Sequence, residues 1–341
     1  SLSRAASTTS DNLANFGVTA YLNDGSGYAA GLTPDFMYNQ LVEKSGSAWA
    51  YNPIKYWPSD AAKKVSFFAY SPYVASAAAA VDNASAITAM SSNADQGDPT
   101  ITFEVGTDVS KHIDLIYSNA LDKTNADGTV NFEFKHALSR VGFKVVGWEP
   151  GTGETYDANT TVTINAVKFA TVRKTATLNI NTGAWSDAVD ASDLRSFTLS
   201  TRNGLLQNNV IEAGDTDTKQ LNLDGDYMMI LPDLSGSDQY VLFVDYTVET
   251  IDESLEDGKI TVRNNVYRRL SPGFEAGKSY NIVVHLGMNT TTGDDDGDDD
   301  GETPVDPDPD TENPVDPPPS RQNSFVTFTA TVTDWNNATS E

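Results

Sequence analysis

The chain has 341 residues, a net charge of −26 and no cysteine. Its length suits two domains of ordinary size, and its excess of acidic residues argues against binding to nucleic acid or to an anionic membrane surface. The lack of cysteine excludes disulfides, thiolate metal sites and cysteine nucleophiles. No apolar run approaches the ~18 residues of a membrane helix. Because the first residue is Ser1 and not Met, we expect a processed or trimmed chain.

Short segments with a two-residue apolar period run through most of the sequence and predict β-strands. Gly, Asn, Asp or Pro bound each of them, as is usual for the strands of antiparallel sheets. In chain order these segments are 64–70, 101–105, 129–138, 141–146, 161–169, 176–180, 227–232, 240–248, 259–263 and 279–287. The Asp-Gly pair within residues 125–129 predicts a hairpin turn. An Ala-rich stretch at 73–90 predicts an inserted helix of one or two turns.

Many strands at a spacing of about ten residues, without alternating helices, favour antiparallel β-sandwiches over a parallel α/β fold. A Gly- and Thr-rich stretch without periodicity, residues 147–161, marks the expected boundary between two such domains. We therefore predict an all-β chain of four parts. They are an N-terminal sandwich at 1–150, a C-terminal sandwich at 151–290, an acidic linker at 291–323 and a terminal strand at 324–341.

The predicted linker is the most acidic part of the chain. Residues 294–322 hold 12 acidic side chains and one arginine, which predicts a solvated, self-repelling spacer. Asp296–Gly301 matches the start of a calcium-binding loop, but the twelfth position, which needs a bidentate Glu, is Pro307. We interpret the match as a chance product of an Asp/Gly run and predict no metal site.

Three histidines are the remaining candidates for metal binding or catalysis. His112, His136 and His285 are far apart in sequence and form no H-x-x-x-H pair, so zinc binding is not expected. His136 falls on the apolar face of its strand, which favours a buried, hydrogen-bonded histidine. Ser139 lies close to it, but the G-x-S-x-G context of a nucleophile is absent. We predict no catalytic residue and no cofactor.

Aromatic residues concentrate in one segment, at Trp49, Tyr51, Tyr56 and Trp57. Clustered Trp and Tyr side chains can stack on sugars, so this segment is a candidate glycan-contact surface. The alternative, which we favour, is that these side chains cap the end of a sandwich or line an interface.

Several segments together resemble the fimbrillin family, the structural subunits of type V pili on anaerobic Gram-negative gut and oral bacteria. Their order and spacing cover nearly the whole chain, and the F-x-F-x-H-A-L-S-R stretch is quite specific. The segments are NFGVTAYL (15–22), YWPSDAAKKVSFFAYSPY (56–73), DLIYSNA (114–120), VNFEFKHALSRVGFKV (130–145), YMMILP (227–232), FEAGKSYNIVVHL (274–286) and FTATVTDWN (328–336). The acidic insertion departs from the family pattern, in which the terminal strand follows more closely.

The resemblance implies two tandem transthyretin-like sandwiches, no catalysis, and export through the outer membrane to the cell surface as a lipoprotein precursor. It also implies an assembly mechanism. An Arg-specific protease removes an N-terminal strand, and the C-terminal strand of an identical or related pilin subunit fills the groove. In this sequence the matching arginine is Arg4. The resulting fibre supports adhesion and implies a host or bacterial surface receptor.

The terminal strand has the pattern that strand insertion requires. Its apolar face would consist of Val326, Phe328, Ala330 and Val332, with Thr residues on the other face and Trp335 as an end anchor. A head-to-tail contact of this kind does not close on itself, so it extends into a filament.

Two alternative functions remain open at the level of sequence. One is a monomeric surface protein or tip adhesin that binds glycans through the aromatic segment. The other is a glycosidase with paired carboxylates, to which no motif points.

Overall fold

The computed structural model of the chain describes residues 7–147, 156, 158–187, 194–223, 226–234, 238–288, 324–334 and 338–340. Within these ranges the regular structure consists of β-strands and two short 3-10 turns, Val109–Lys111 and Asn125–Asp127. The predicted all-β class is therefore confirmed. No helix in the described ranges has the length and apolar character needed to span a membrane.

Sheet A has seven antiparallel strands, six from the N-terminal part of the chain and one from its C-terminal end. Its strands are β1 (Asn15–Asn23), β2 (Met37–Ser45), β3 (Ala48–Ala50), β4 (Lys64–Ser71), β7 (Ile116–Lys123), β8 (Phe132–His136) and β21 (Ala338–Ser340). Their order across the sheet is β21-β8-β7-β4-β1-β2-β3. The predicted turn at 125–129 does join two antiparallel strands, β7 and β8, with Gly128 at a positive φ of 71°.

Sheet B has four antiparallel strands. They are β5 (Ala86–Met90), β6 (Thr100–Glu104), β11 (Thr175–Asn179) and β12 (Trp185–Asp187), in the order β12-β11-β6-β5. The predicted helix at 73–90 was wrong, because β5 occupies its last five residues and Ile87 packs into the core. Asp82 and Asn83 have positive φ angles of 53° and 59°, which a right-handed helix does not allow.

Sheet C has five strands. They are β9 (Ser139–Val146), β15 (Lys219–Gln220), β16 (Met228–Ile230), β19 (Lys278–Met288) and β20 (Ser324–Asp334). The order is β15-β9-β19-β20, and β16 also pairs with β9. The β9/β19 pair is parallel, and the other pairs of this sheet are antiparallel.

Sheet D has five antiparallel strands, which are between 2 and 14 residues long. They are β10 (Thr160–Arg173), β13 (Leu194–Ser200), β14 (Val210–Ile211), β17 (Tyr240–Ile251) and β18 (Lys259–Leu270). The order is β13-β10-β17-β18, and β14 also pairs with β10. Phe143 of sheet C packs edge-on against Phe169 of sheet D, with ring centroids 5.9 Å apart, so the two sheets face each other.

Two apolar clusters form inside this architecture. The large cluster, which we call the main core, contains side chains from all four sheets. The small cluster lies on the other face of sheet A, where Phe16, Val65 and Phe67 are among its buried members. Alternating residues of β1 and β4 therefore point into two different apolar environments.

The sheets cross the predicted domain boundary at residue 150 in both directions. Strand β9 precedes the boundary but pairs with β19, and β11 follows it but pairs with β6. Only two residues, Ala137 and Leu138, separate β8 of sheet A from β9 of sheet C. The assignment of residues to two domains stays a prediction, and the linker at 291–323 lies outside the described residues.

Candidate functional site: the terminal strand and the open face of sheet A

The terminal strand β20 is the outermost strand of sheet C among the strands described. It pairs antiparallel with β19 along its full length, from Ser324 opposite Met288 to Asp334 opposite Lys278. This ladder satisfies the backbone groups of β19 that would otherwise form an open edge. The terminal strand, which the sequence predicts to need a partner strand, therefore pairs with β19 of its own chain.

The register places the predicted apolar residues of β20 opposite buried residues of β19. The pairs are Val326 with Leu286, Phe328 with Val284, Ala330 with Ile282, and Val332 with Tyr280. All four of these β19 side chains belong to the main core. Directly opposed residues lie on the same face of an antiparallel pair, so this backbone register is compatible with the predicted apolar pattern of β20. Trp335 lies outside the described residues.

The end of the chain continues into sheet A. Strand β21 pairs with β8, with Ala338 opposite Phe134 and Ser340 opposite Phe132. The terminal segment thus follows first the edge of sheet C and then the edge of sheet A.

The described residues cover the second face of sheet A only in part, and we call this face the open face. It borders a cavity of about 360 Å³. Most of the wall is apolar or aromatic, and its lining includes Phe16, Val18, Val42, Trp49, Trp57 and Phe67. Phe16 packs edge-on against Trp49 at 4.9 Å between ring centroids, and Trp57 packs against Phe67 at 6.0 Å. A cavity of this character has room for apolar side chains in addition to those of the described residues.

The ladder between β7 and β8 is short. Its register pairs Ile116 with His136 and Tyr117 with Lys135, at the end far from the turn. Residues 128–131 of the connection and Phe132, the first residue of β8, line the cavity. Beyond these two pairs, no ladder joins β7 to β8 among the described residues.

The four predicted glycan-contact residues do not share one environment. Trp49, Tyr51 and Trp57 are half-buried in the cavity wall and pack against the small cluster. Tyr56 is 84% exposed. Lys44 extends over the ring of Trp49, with its Nζ 5.6 Å from the centroid.

A buried His–Asp pair anchors the N-terminal segment at the edge of sheet A. The Asp114 carboxylate lies 2.9 Å from Nδ1 of His136, and both side chains are fully buried. The backbone N–H of Thr8 donates to Oδ2 of the same carboxylate at 2.7 Å. The predicted buried, hydrogen-bonded role of His136 is confirmed. Arg4, the predicted processing site, lies outside the described residues.

His112 connects the loop after β6 with sheet C. Its Nε2–H donates to the carbonyl of Gly106 at 2.9 Å, and its Nδ1 accepts from the Met229 N–H at 3.0 Å. Burial lowers the pKa of His112 from 6.5 to about 4, so the ring is neutral at pH 7. A neutral ring with both nitrogens bonded is a structural element of the core.

The described ranges contain no cluster of three or more His, Asp or Glu side chains that could hold a metal ion. The acidic linker with Asp296–Gly301 is not among those ranges. Sequence reasoning missed Asp114 as the partner of His136. The signal was a single acidic residue just before an apolar strand, which is too common to identify a contact.

Comparisons with known proteins agree with the sequence resemblance. The family described as Fimbrillin-like matches residues 3–296. The "Fimbrium subunit Fim1C" of Phocaeicola vulgatus is 27% identical over 318 residues, which cover 84% of this chain and 82% of that protein.

A solved structure shows the same fold. The crystal structure of a fimbrial protein from Bacteroides vulgatus aligns with a TM-score of 0.67 at 21% identity, covering 94% of this chain and 93% of that one. Because the family match extends over most of the sequence, the chain belongs to the fimbrillin-like family of structural fimbrial subunits.

Proposed function

We propose that this protein is a structural subunit of a cell-surface type V fimbria and that it polymerises by donating its terminal strand to a neighbouring subunit. The observation that carries this proposal is the position of β20. It is paired at the edge of sheet C, and 35 residues separate it in sequence from the end of β19. A strand joined to the body in this way can exchange one ladder for an equivalent ladder in another subunit.

We propose the open face of sheet A as the acceptor. The cavity supplies space for apolar side chains, and the part of β7 beyond its two pairs with β8 would supply backbone groups for a new ladder. Strand β21 already pairs with the other edge of β8, which supports the ability of this region to hold a terminal segment. The two sandwiches of this subunit would be transthyretin-like, formed by sheets A with B and C with D.

Processing at Arg4 would open the acceptor. The Asp114–His136 pair fixes Thr8 beside the end of β8, so the chain before Thr8 starts at the margin of the open face. A strand preceding Arg4 in a longer precursor would lie within reach of the cavity. N-terminal sequencing of subunits from fibres should find Ala5 as the first residue, and a start well upstream of Arg4 would rule this site out.

The linker at 291–323 would act as a spacer. As a flexible coil its 33 residues average roughly 30 Å end to end, which is enough to reach an adjacent subunit. Calorimetry should detect no tight calcium binding. Micromolar affinity that disappears when Asp296, Asp298 and Asp300 are replaced would contradict the spacer role.

The fibre would lie outside the cell, after export of the subunit through the outer membrane as a lipoprotein precursor. Its partners would be identical or related pilin subunits, an Arg-specific protease during maturation, and a surface receptor during adhesion.

The decisive test replaces Phe328 and Val332 of β20 with Asp. Charges on the predicted apolar face of the strand should abolish polymerisation, because they cannot be desolvated in an apolar groove. The main core should still fold, since its other strands are unchanged, and circular dichroism checks this. The matched control, Thr329→Asp with Thr333→Asp, puts the same charge on the other face and should still give fibres. Fibres of the Phe328/Val332 variant at wild-type abundance would show that β20 is not the donor.

A glycan-binding adhesin is the second candidate, and the exposure of Tyr56 beside the aromatic cavity favours it. A glycan array with the monomeric protein would test it. Binding that is lost in the Tyr56→Ala variant would support this function, and no binding to any glycan would remove its basis.

A further inference from the structure

The chain leaves and re-enters sheet C at one pole of the molecule. Strand β19 ends at Met288 and β20 starts opposite it at Ser324. The Tyr156 hydroxyl donates to the backbone carbonyl of Leu286. The backbone carbonyl of Asn159 accepts from the Ile251 N–H at 2.9 Å. Tyr156 and Asn159 are three residues apart, so their Cα atoms are within about 11 Å. The end of β17 therefore lies close to the point where the linker begins, and we call this end of the molecule the tether pole.

The hairpin between β17 and β18 presents apolar side chains to solvent at the tether pole. Ile251, Leu255 and Ile260 are 54%, 40% and 48% exposed, within a segment of ten residues. Exposed apolar side chains grouped in this way are typical of a protein contact surface. We call residues 251–260 the hairpin tip. It also carries four carboxylates, at residues 252, 253, 256 and 257, against one lysine.

The opposite pole has a complementary surface. Two residues separate the end of β8 in sheet A from the start of β9. Strand β9 ends at Val146, and the next residue, Gly147, lies against the Tyr156 ring. Its eight residues span about 26 Å, so sheet A and the tether pole are at opposite ends of β9.

On sheet A, residues 52–58 form a loop beside the cavity, and we call them the cavity loop. In the cavity loop Ile54 is 65% exposed and Tyr56 is 84% exposed. The only charged residue of the loop is Lys55, and Asp60, Lys63 and Lys64 follow shortly after, so lysines outnumber carboxylates in this segment.

We propose that the hairpin tip of one subunit packs against the cavity loop of the next subunit in the fibre. This inference rests on the proposed strand donation, because it is the departing strand that brings the tether pole of one copy to sheet A of the next. A spacer of more than thirty residues delivers the strand but does not orient the two bodies. Apolar contact between the tip and the loop, with carboxylates facing lysines, would fix that orientation.

The absence of native cysteine allows a direct test by crosslinking. Fibres of a Leu255→Cys/Tyr56→Cys variant, treated with an oxidant or a short bis-maleimide, should give a ladder of covalent multimers on a denaturing gel. The control variant, Leu255→Cys/Thr198→Cys, pairs the same tip residue with an exposed position on β13 of sheet D. We expect at least a fivefold lower crosslinked fraction for the control.

Failure of this inference and failure of strand donation have different signatures. Fibres of the Leu255/Tyr56 variant without a ladder, or with a ladder no stronger than in the control, would overturn the contact. Fibres that persist with Asp at positions 328 and 332 would overturn strand donation, whatever the crosslinking result. If the cysteine variants form no fibres, Leu255→Glu/Ile260→Glu provides a second test. It should give fibres that are shorter and less straight in micrographs, and unchanged fibres would reject the contact.

Discussion

Phe67 and Phe68 are neighbours on β4, yet they occupy two different kinds of apolar surroundings. Phe68 packs in the main core, with ring centroids 5.5 Å from Tyr21 and 4.9 Å from Tyr28. Phe67 points to the open face, where it contacts Phe36 and Trp57 and borders the cavity. Both side chains are buried, so burial alone does not distinguish them.

The main core and the open face differ in which parts of the chain cover the buried side chains. Strands from four sheets contribute side chains to the main core, whereas the described residues cover the open face only in part and leave a cavity of about 360 Å³ there. We infer that residues of the main core determine folding and that residues of the open face determine assembly. Single substitutions on the two faces can separate these effects.

The largest difference is expected between Phe68→Ala and Phe67→Ala. Removing the Phe68 ring leaves a cavity inside a close-packed core and should cost about 3–5 kcal/mol of unfolding free energy. Removing the Phe67 ring enlarges a space that already exists and should cost at least about 1 kcal/mol less. Urea unfolding of the two variants measures both values. Equal losses would mean that the open face is packed as tightly as the core.

Low pH should destabilise the folded protein because it favours protonation of His112 in the unfolded state. Its pKa is about 4 in the folded protein and 6.5 when exposed, so between these values the unfolded state binds more protons. The unfolding free energy should therefore fall as the pH drops from 6.5 to 4, by about 3 kcal/mol from this group. Unfolding curves across this range should be less pH-dependent for His112→Gln than for the wild type, because Gln does not titrate. The same pH dependence in both proteins would exclude His112 as the source.

Filling the cavity should separate assembly from stability. Val18 lies on β1 and lines the cavity, so Val18→Phe would place a ring in the unfilled space. We expect the unfolding free energy to change by no more than about 1 kcal/mol, while the yield of fibres falls about tenfold or more, which corresponds to roughly 1.4 kcal/mol of binding. Val210→Phe, on an exposed position of β14, is the matched control and should assemble normally. Normal assembly of Val18→Phe would show that the cavity is not the acceptor.

The smallest effect on stability is expected at Tyr56. Its side chain is almost fully exposed, so Tyr56→Ser should change the unfolding free energy by less than about 0.5 kcal/mol. If the cavity loop contacts the next subunit, the same variant should assemble less efficiently. Thermal unfolding and quantitative micrographs of the same preparation measure both effects, and unimpaired assembly would argue against a role of the loop.

Sequence periodicity located most of the strands because one face of each is buried and the other is polar. Segment 240–248 became β17 and segment 279–287 became β19, each with slightly wider bounds. The Ala-rich stretch at 73–90 misled the prediction, since helix propensity is weak evidence when tertiary contacts compete. Ile87 supplied such a contact by packing into the main core.

The pairing of the strands could not be predicted, because a strand pattern identifies a face but not a neighbour. Nothing in segment 141–146 shows that it would join β19, more than a hundred residues later, in a parallel pair. The open face was equally hidden. Phe16, Trp49 and Phe67 are apolar residues of strands and loops, and only their arrangement in space reveals that the volume between them is unfilled.

The short connection between β8 and β9 has a mechanical consequence. With only Ala137 and Leu138 between the two strands, a pull on sheet A passes directly into β9. From β9 it reaches β19 across a ladder that runs from the Ser279/Arg140 pair to the His285/Val146 pair. A load directed along paired strands acts on all rungs of a ladder together, whereas a load across them would open the rungs one by one. A subunit built in this way resists extension along the direction of β9.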